Sequence, residues 1–383
     1  MLIRGALVLS GDFTFKKLDV TIQNGYITSV CQPDNDPVTE VNLREEIVDA
    51  KDQILVPGLI DVHIHGYQGI SCTETNPSRF EKLRRALSRK GTTAFAPTIA
   101  STSDQKAFAS IRYLSQTEAH REDGISRVLG IHMEGPFLNP VKKGAMNRSC
   151  LQMPSTGKLL EFLSYGPGFI KLMTIAPELP GALDVIRLGK ELGISMSMGH
   201  TDAKREEAVL GIEAGVSRAT HLFNAMRGLH HREGGVISAA LLDPSIRCEL
   251  IGDLVHVKPE IVRLIYQMKG REGITLITDA CELSGLTQDM LPPYLPYRIS
   301  DAAYLKNGTL CGSVICLLDA VRNLIGLGIK AEDAFYMATI NPARDLGVQD
   351  QFGSIEPGKR ADLLLLDSDF SLMQCFVGGK AAF

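Results

Sequence analysis

Ile54-Leu55-Val56-Pro57-Gly58-Leu59-Ile60-Asp61-Val62-His63-Ile64-His65-Gly66 is where the chain changes character. Pro57-Gly58 punctuates a turn, and the apolar run that follows reads as a buried strand. It ends in His63 and His65, two residues apart, so on a strand both rings point the same way. From here strands alternate with helices. The pattern predicts strands over 59–64, 92–97, 127–132, 171–176, 193–199, 216–221, 247–252 and 274–279. It predicts helices over 77–89, 103–117, 179–192, 203–214 and 259–269. Eight strands with helical crossovers predict a parallel α/β fold, a (β/α)8 barrel of the TIM type.

Both ends of the chain read differently. Residues 6–10 are apolar, and a strand leading from Phe15 turns at Asn24-Gly25 into a second over 26–30. Residues 47–50 read as another strand, and the polar, proline-containing 32–40 as a loop. After the barrel, 353–358 is rich in turn residues, 361–366 and 370–374 are strand candidates, and Gly378-Gly379 closes the series. These short strands lack helical partners. The expected organisation is therefore a barrel over 56–344 and a small β-sandwich domain formed by 1–55 and 345–383.

Composition removes several classes of function. The 383 residues carry 40 Lys and Arg against 44 Asp and Glu, a net charge of -4, which does not support a nucleic-acid footprint. Tryptophan is absent and aromatics make up 6%, which weakens any reading built on stacking. No run of apolar residues reaches a membrane span, and the N-terminus lacks the pattern of a secretory signal. The expectation is a cytoplasmic protein with neither membrane nor nucleic-acid partners. None of the eight cysteines forms a CxxC pair, and most read as small buried hydrophobes.

Barrel enzymes build their sites at the C-terminal ends of strands. The polar residues there are His63 and His65 on the first strand, His132 and Glu134 on the third, His200 on the fifth, His221 on the sixth and Asp279 on the eighth. Five of the nine histidines in the chain are in this set, whereas His120 falls in a polar helical region and reads as exposed. Gly135-Pro136 stops the third strand just after Glu134. Any one histidine could be a satisfied polar residue of the rim. Five of them with two carboxylates, at successive strand ends, outweigh that reading. Imidazole and carboxylate are the ligands of zinc and similar divalent ions, and His132 reads as a residue supporting a ligand.

Longer motifs carry a resemblance. The segment from Val56 to Gly66 resembles the opening motif of the amidohydrolase superfamily. His132-Met133-Glu134-Gly135-Pro136-Phe137-Leu138-Asn139, Gly199-His200-Thr201-Asp202-Ala203 and Thr220-His221-Leu222-Phe223-Asn224-Ala225-Met226 resemble N-acetylglucosamine-6-phosphate deacetylases. So do Thr309-Leu310-Cys311-Gly312-Ser313 and Asn341-Pro342-Ala343, and the resemblance covers nearly the whole chain. It implies a metal-dependent hydrolase that removes acetate from an amino sugar phosphate, commonly as a homodimer. Glu134, His200 and His221 would hold the main divalent ion, and His63 and His65 a second one in members that use two. Zinc comes first, with iron, manganese and cobalt as alternatives. Asp279 would be the catalytic acid and base. Asn224, Ala225, Arg232 and His256 match positions that hold the sugar and phosphate, with phosphate contacts that can cross a subunit interface.

Four departures concern the substrate pocket. The usual Gly-Ala-His or Gly-Thr-His is Gly144-Ala145-Met146, so a substrate contact through Ala145 and Met146 lacks a polar group. The usual Arg-Glu-Pro-Gly is Arg232-Glu233-Gly234-Gly235, and the usual glycine after Asp253 is Leu254. Cys281-Glu282-Leu283-Ser284-Gly285 after Asp279 is also not the commonest pattern. These departures bear on which sugar is used more than on the reaction. A deacetylase of N-acetylgalactosamine 6-phosphate stays open beside the glucosamine form. So do an amidohydrolase acting on an unrelated amide and a catalytically silent barrel with a binding role.

Overall fold

In the computed structural model, residues 1–33, 46–117, 122–292 and 295–383 are described. The first barrel strand is Leu59–Ile64, buried at every position. It is followed by Thr92–Ala100, Ile131–Glu134, Ile170–Ile175, Ser195–Met198, Val216–Ala219, Arg247–Ile251 and Ile274–Ile277, each parallel to its neighbour. Strands buried on both faces read as continuous apolar runs, which is why the pattern was legible. The ring closes between the eighth strand and the first. Ile64 bridges Ala280 in parallel, Asp279 N–H donates to His63 O at 2.9 Å, and Thr278 Oγ1 donates to Asp61 at 2.6 Å.

One apolar cluster joins Ile60, Val62, Ala94, Ala96, Leu172, Ile251 and Ile277 with Ala343, Leu346 and Phe352. It draws on strands from opposite sides of the ring, so it fills the interior, as in barrels of this type. A larger cluster lies between the strands and the surrounding helices. Among these, Pro77–Ser88, Asp104–Thr117, Ala182–Glu191, Arg205–Ala214 and Pro259–Lys269 fall where helices were expected. Thr156–Tyr165, Gly235–Leu242, Leu317–Gly326, Ala331–Ala338 and Ile340–Asp345 were not anticipated.

The two chain ends share one mixed eight-stranded sheet. Leu363–Leu366 runs antiparallel to Ile54–Pro57, which runs parallel to Leu2–Leu9. Asn24 and Gly25 make the hairpin turn at φ 51° and 79°, the paired positive values that the twist of a two-residue hairpin demands. The edge at Tyr26–Cys31 then meets the chain near its end: Ile27 N–H donates to Lys359 O and Gly358 N–H to Ile27 O, both at 2.8 Å. The sheet thus folds back over Ile3, Val8, Val20, Leu55, Leu363 and Phe376, giving the expected small β-sandwich.

Several expectations need correction. The third strand is not continuous over 127–132. Arg127–Val128 is a separate short strand, Gly130 follows at φ 152°, and the barrel strand starts at Ile131 and runs to Glu134. The last long strand extends to Val377 rather than ending at Gln374. Only four of the eight cysteines are buried; Cys31, Cys150, Cys311 and Cys316 are half-buried. Most of the 32–40 loop, and His120, lie outside the described residues.

Candidate active site

The strand ends bring six of the named side chains into one cluster. Glu134 sits at its centre. Its Oε1 lies 2.9 Å from His200 Nε2, 3.0 Å from His221 Nε2 and 3.5 Å from His63 Nε2. Its Oε2 lies 3.3 Å from His65 Nε2. Asp279 Oδ1 faces the first-strand pair, 3.2 Å from His65 and 3.5 Å from His63. One carboxylate is therefore shared between a His200/His221 half and a His63/His65/Asp279 half.

Local backbone geometry aims these groups. Of the eleven non-glycine residues with positive φ among the described residues, six are His200, His221, Phe223, Ala225, Leu254 and Asp279, all at the mouth of the barrel. Such conformations cost energy and persist where the surroundings hold them. The neighbouring glycines allow close approach. A Cβ on Gly199 would sit 2.7 Å from Thr220 Cβ, and one on Gly312, at φ 127°, would sit 2.8 Å from Asp279 O. Glu178 pins the loop after His200, accepting from Thr201 Oγ1, the Asp202 N–H and Asn139 Nδ2 at 2.6, 2.7 and 2.9 Å.

The cluster calls for positive charge. Burial disfavours a charged His63 ring, but Glu134, Asp279 and Glu249 outweigh it and hold its pKa well above the ordinary value. His65 is likewise pushed up to about 9 against burial by its hydrogen bonds to Asp279 and Glu134. Burial would raise the two carboxyls, yet the histidines hold Glu134 well below its usual value and Asp279 at about 2. His132 lies outside this balance. Burial first, then the charge of His63, lowers it to about 3, and its nitrogens are spent on Val62 O at 3.2 Å and Thr174 Oγ1 at 2.8 Å. Its ring packs edge-on to His63 with centroids 4.6 Å apart.

A divalent ion fits this donor set. Ligand atoms of His63, His65 and Asp279, and those of His63, Glu134 and His221, lie within 4.8 Å of one another. Two other nitrogens are anchored from behind, His200 Nδ1 on Lys142 O at 2.8 Å and His63 Nδ1 on Glu249 at 2.9 Å. The buried His63 Nε2 has no hydrogen-bond partner among the described residues, although it points into the cluster.

A cavity of about 540 Å³ opens beside these groups. Of the residues matched to substrate positions, Ala145, Met146, Asn224, Ala225 and His256 line it. His256 donates Nδ1–H to Asp253 at 2.6 Å, which leaves Nε2 free. Arg232 is not brought to the cavity: it is exposed beside His230 and His231, whose tilted rings lie 4.2 Å apart. Two departures also acquire a geometry. Leu254 adopts φ 62°, which the usual glycine would take without strain. Gly234 has φ -69°, the value a proline would impose.

The sequence reading missed three buried residues that lead away from the cluster: Glu249 touches His63, Arg218 touches Glu249, and Asp345 touches Arg218. The signal was present: Glu249 stands in the apolar run Cys248-Glu249-Leu250-Ile251 of a strand expected to be buried, where an isolated carboxylate must be paired.

The amidohydrolase family model matches residues 54–382. The chain is 34% identical to an N-acetylglucosamine-6-phosphate deacetylase of Vibrio furnissii, over 86% of this chain and 83% of the relative. It is 32% identical to an N-acetylgalactosamine-6-phosphate deacetylase of Escherichia coli O157:H7, over 86% and 88%. Among solved structures, a variant N-acetyl-D-glucosamine-6-phosphate deacetylase from Mycobacterium smegmatis, in complex with N-acetyl-D-glucosamine-6-phosphate, superposes with a TM-score of 0.90. That match has 27% identity and covers 100% of this chain and 99% of the other.

Proposed function

The chain belongs to the amidohydrolase family, among its N-acetylglucosamine-6-phosphate deacetylases, and on that premise we propose how it hydrolyses the acetamide of N-acetylglucosamine 6-phosphate to glucosamine 6-phosphate and acetate. The observation that carries the reading is Glu134 reaching four imidazole Nε2 atoms, with Asp279 on the same cavity. Glu134, His200 and His221 would hold the main divalent ion, zinc by preference, and His63 and His65 a second. When bound, such an ion lowers the pKa of water and polarises the carbonyl under attack.

Asp279 performs the proton transfers. A carboxylate is ionised at neutral pH, so Oδ1 accepts the proton of the attacking water. It then returns that proton to the amine nitrogen as the C–N bond breaks. His256, its Nδ1 fixed by Asp253, presents Nε2 to the substrate, and the pairing raises its pKa against burial, favouring a ring that donates from both nitrogens. Asn224 and Ala225 fix the sugar, and Ala145 and Met146 form an apolar stretch of wall.

Arg232 meets the phosphate with forked donors. Its exposure away from the cavity within one chain supports a homodimer in which this contact crosses the interface. Among the described residues no helix is long and apolar enough to cross a membrane, and we place the enzyme in the cytoplasm.

The test is acetate release from phosphorylated and unphosphorylated N-acetylglucosamine and N-acetylgalactosamine, with metal analysis of the same sample. The expected result is fastest turnover of N-acetylglucosamine 6-phosphate by metal-loaded protein. Faster turnover of the galactosamine form would transfer the assignment to that sugar. Neither metal nor acetate would make the barrel catalytically silent.

A further inference from the structure

The carboxylate of Glu249 lies behind the metal ligands and meets no part of the cavity. Its side chain and those of His63, Arg218 and Thr275 are almost wholly buried. Glu249 Oε2 is 2.9 Å from His63 Nδ1 and accepts from the His221 N–H at 3.2 Å. Its Oε1 accepts from Arg218 Nη2 at 2.9 Å. Arg218 pairs through Nη1 with Asp345, which also accepts from Thr275 Oγ1 at 2.6 Å and is paired with Arg247. A line of alternating charges thus runs from Asp345 through Arg218 and Glu249 to the ring of His63.

An ionised carboxylate only accepts hydrogen bonds, so His63 Nδ1 keeps its proton and Nε2 is the nitrogen left to an ion. That Nε2 is the buried atom without a hydrogen bond, facing Glu134 and Asp279. We propose that Glu249, held in place by Arg218 and Asp345, is a positioning residue that fixes the tautomer of His63 so that Nε2 can take a divalent ion at the first-strand half of the site. The inference rests on the reading that His63 and His65 hold an ion. Through the His221 N–H the same carboxylate also steadies a ligand of the other half.

The chemistry makes a near-isosteric change informative. In Glu249→Gln the cationic Arg218, which can only donate, draws the carbonyl oxygen to its side, and the His221 N–H loses its acceptor. Its NH₂ group then faces His63 Nδ1, which is forced to accept, and the ring proton moves to Nε2. Size, burial and the Arg218 contact are kept, the backbone contact to His221 is lost, and the metal-binding nitrogen of His63 is blocked.

The experiment is elemental analysis of wild type, Glu249→Gln and Glu249→Asp after equilibration at fixed free zinc, with acetate release on the same samples. Wild type is expected to hold two ions per chain. Glu249→Gln is expected to hold one, with the second bound about 10- to 100-fold more weakly. Glu249→Asp, which restores an obligate acceptor, should recover part of that affinity. Two ions bound by Glu249→Gln with wild-type affinity would overturn the proposal. A wild type that takes only one ion while releasing acetate would overturn it too, and leave the functional reading standing. Protein with neither metal nor acetate release would fail that reading itself. Should the variants not fold, nitrogen-15 histidine spectra of the zinc-loaded wild type decide: a proton on His63 Nδ1 is expected, and one on Nε2 refutes the tautomer.

Discussion

Replacing Asp279 with asparagine removes one proton acceptor and little else. The backbone there is at φ 49°, a region that asparagine tolerates better than most residues. Its main-chain bonds, N–H to His63 O and O from Ser313 N–H, both 2.9 Å, do not involve the side chain. An amide oxygen can keep the place of Oδ1, 3.2 Å from His65 Nε2. Glu134, His200 and His221 are untouched, so the main ion should stay. What disappears is the base. General acid–base catalysis contributes about 10²- to 10⁴-fold, so the barrier should rise by about 3–5 kcal/mol at roughly 1.4 kcal/mol per tenfold. The assay is acetate release at saturating substrate, with metal content and melting temperature measured on the same protein. A metal-replete Asp279→Asn with kcat within tenfold of wild type would refute the assignment of the proton transfers to this carboxylate.

Other outcomes follow from the same geometry. His200→Ala removes a nitrogen 2.9 Å from Glu134 and should lower bound metal, read by elemental analysis; unchanged content would contradict its role as a ligand. Without an ion, His65 keeps its proton up to about pH 9, so loading the first-strand half must displace protons and should strengthen as pH rises from about 6 towards 9. Calorimetry in buffers of different ionisation enthalpy checks this, and no proton release at neutral pH would contradict it. Met146→His supplies a donor on the cavity wall and should lower KM for the phosphorylated sugar by about tenfold, at about 1–1.5 kcal/mol for one added hydrogen bond, with kcat little changed. An unchanged KM would place Met146 outside the substrate contacts.

The amino-acid sequence by itself determined the strand count, the barrel, the return of the tail to the N-terminal sheet and the set of polar residues at the strand ends. These follow from local rules. Parallel strands buried on both faces must be apolar runs, Asn24-Gly25 turns a hairpin, and a histidine or carboxylate closing an apolar run stands out. Helices such as Gly235–Leu242 and Ala331–Ala338 escaped because they are nearly buried, with little polar face to mark a helical period. Only the tertiary structure decided that one carboxylate, Glu134, lies among four imidazoles drawn from three strands. It also separated Arg232 from the cavity, set His132 beneath the cluster, and put Glu249 behind His63, 186 residues away in the chain. The physical reason is that strand alternation tells which side a residue faces. The distance between two side chains depends on where ring closure puts their strands, and that is a property of the whole barrel.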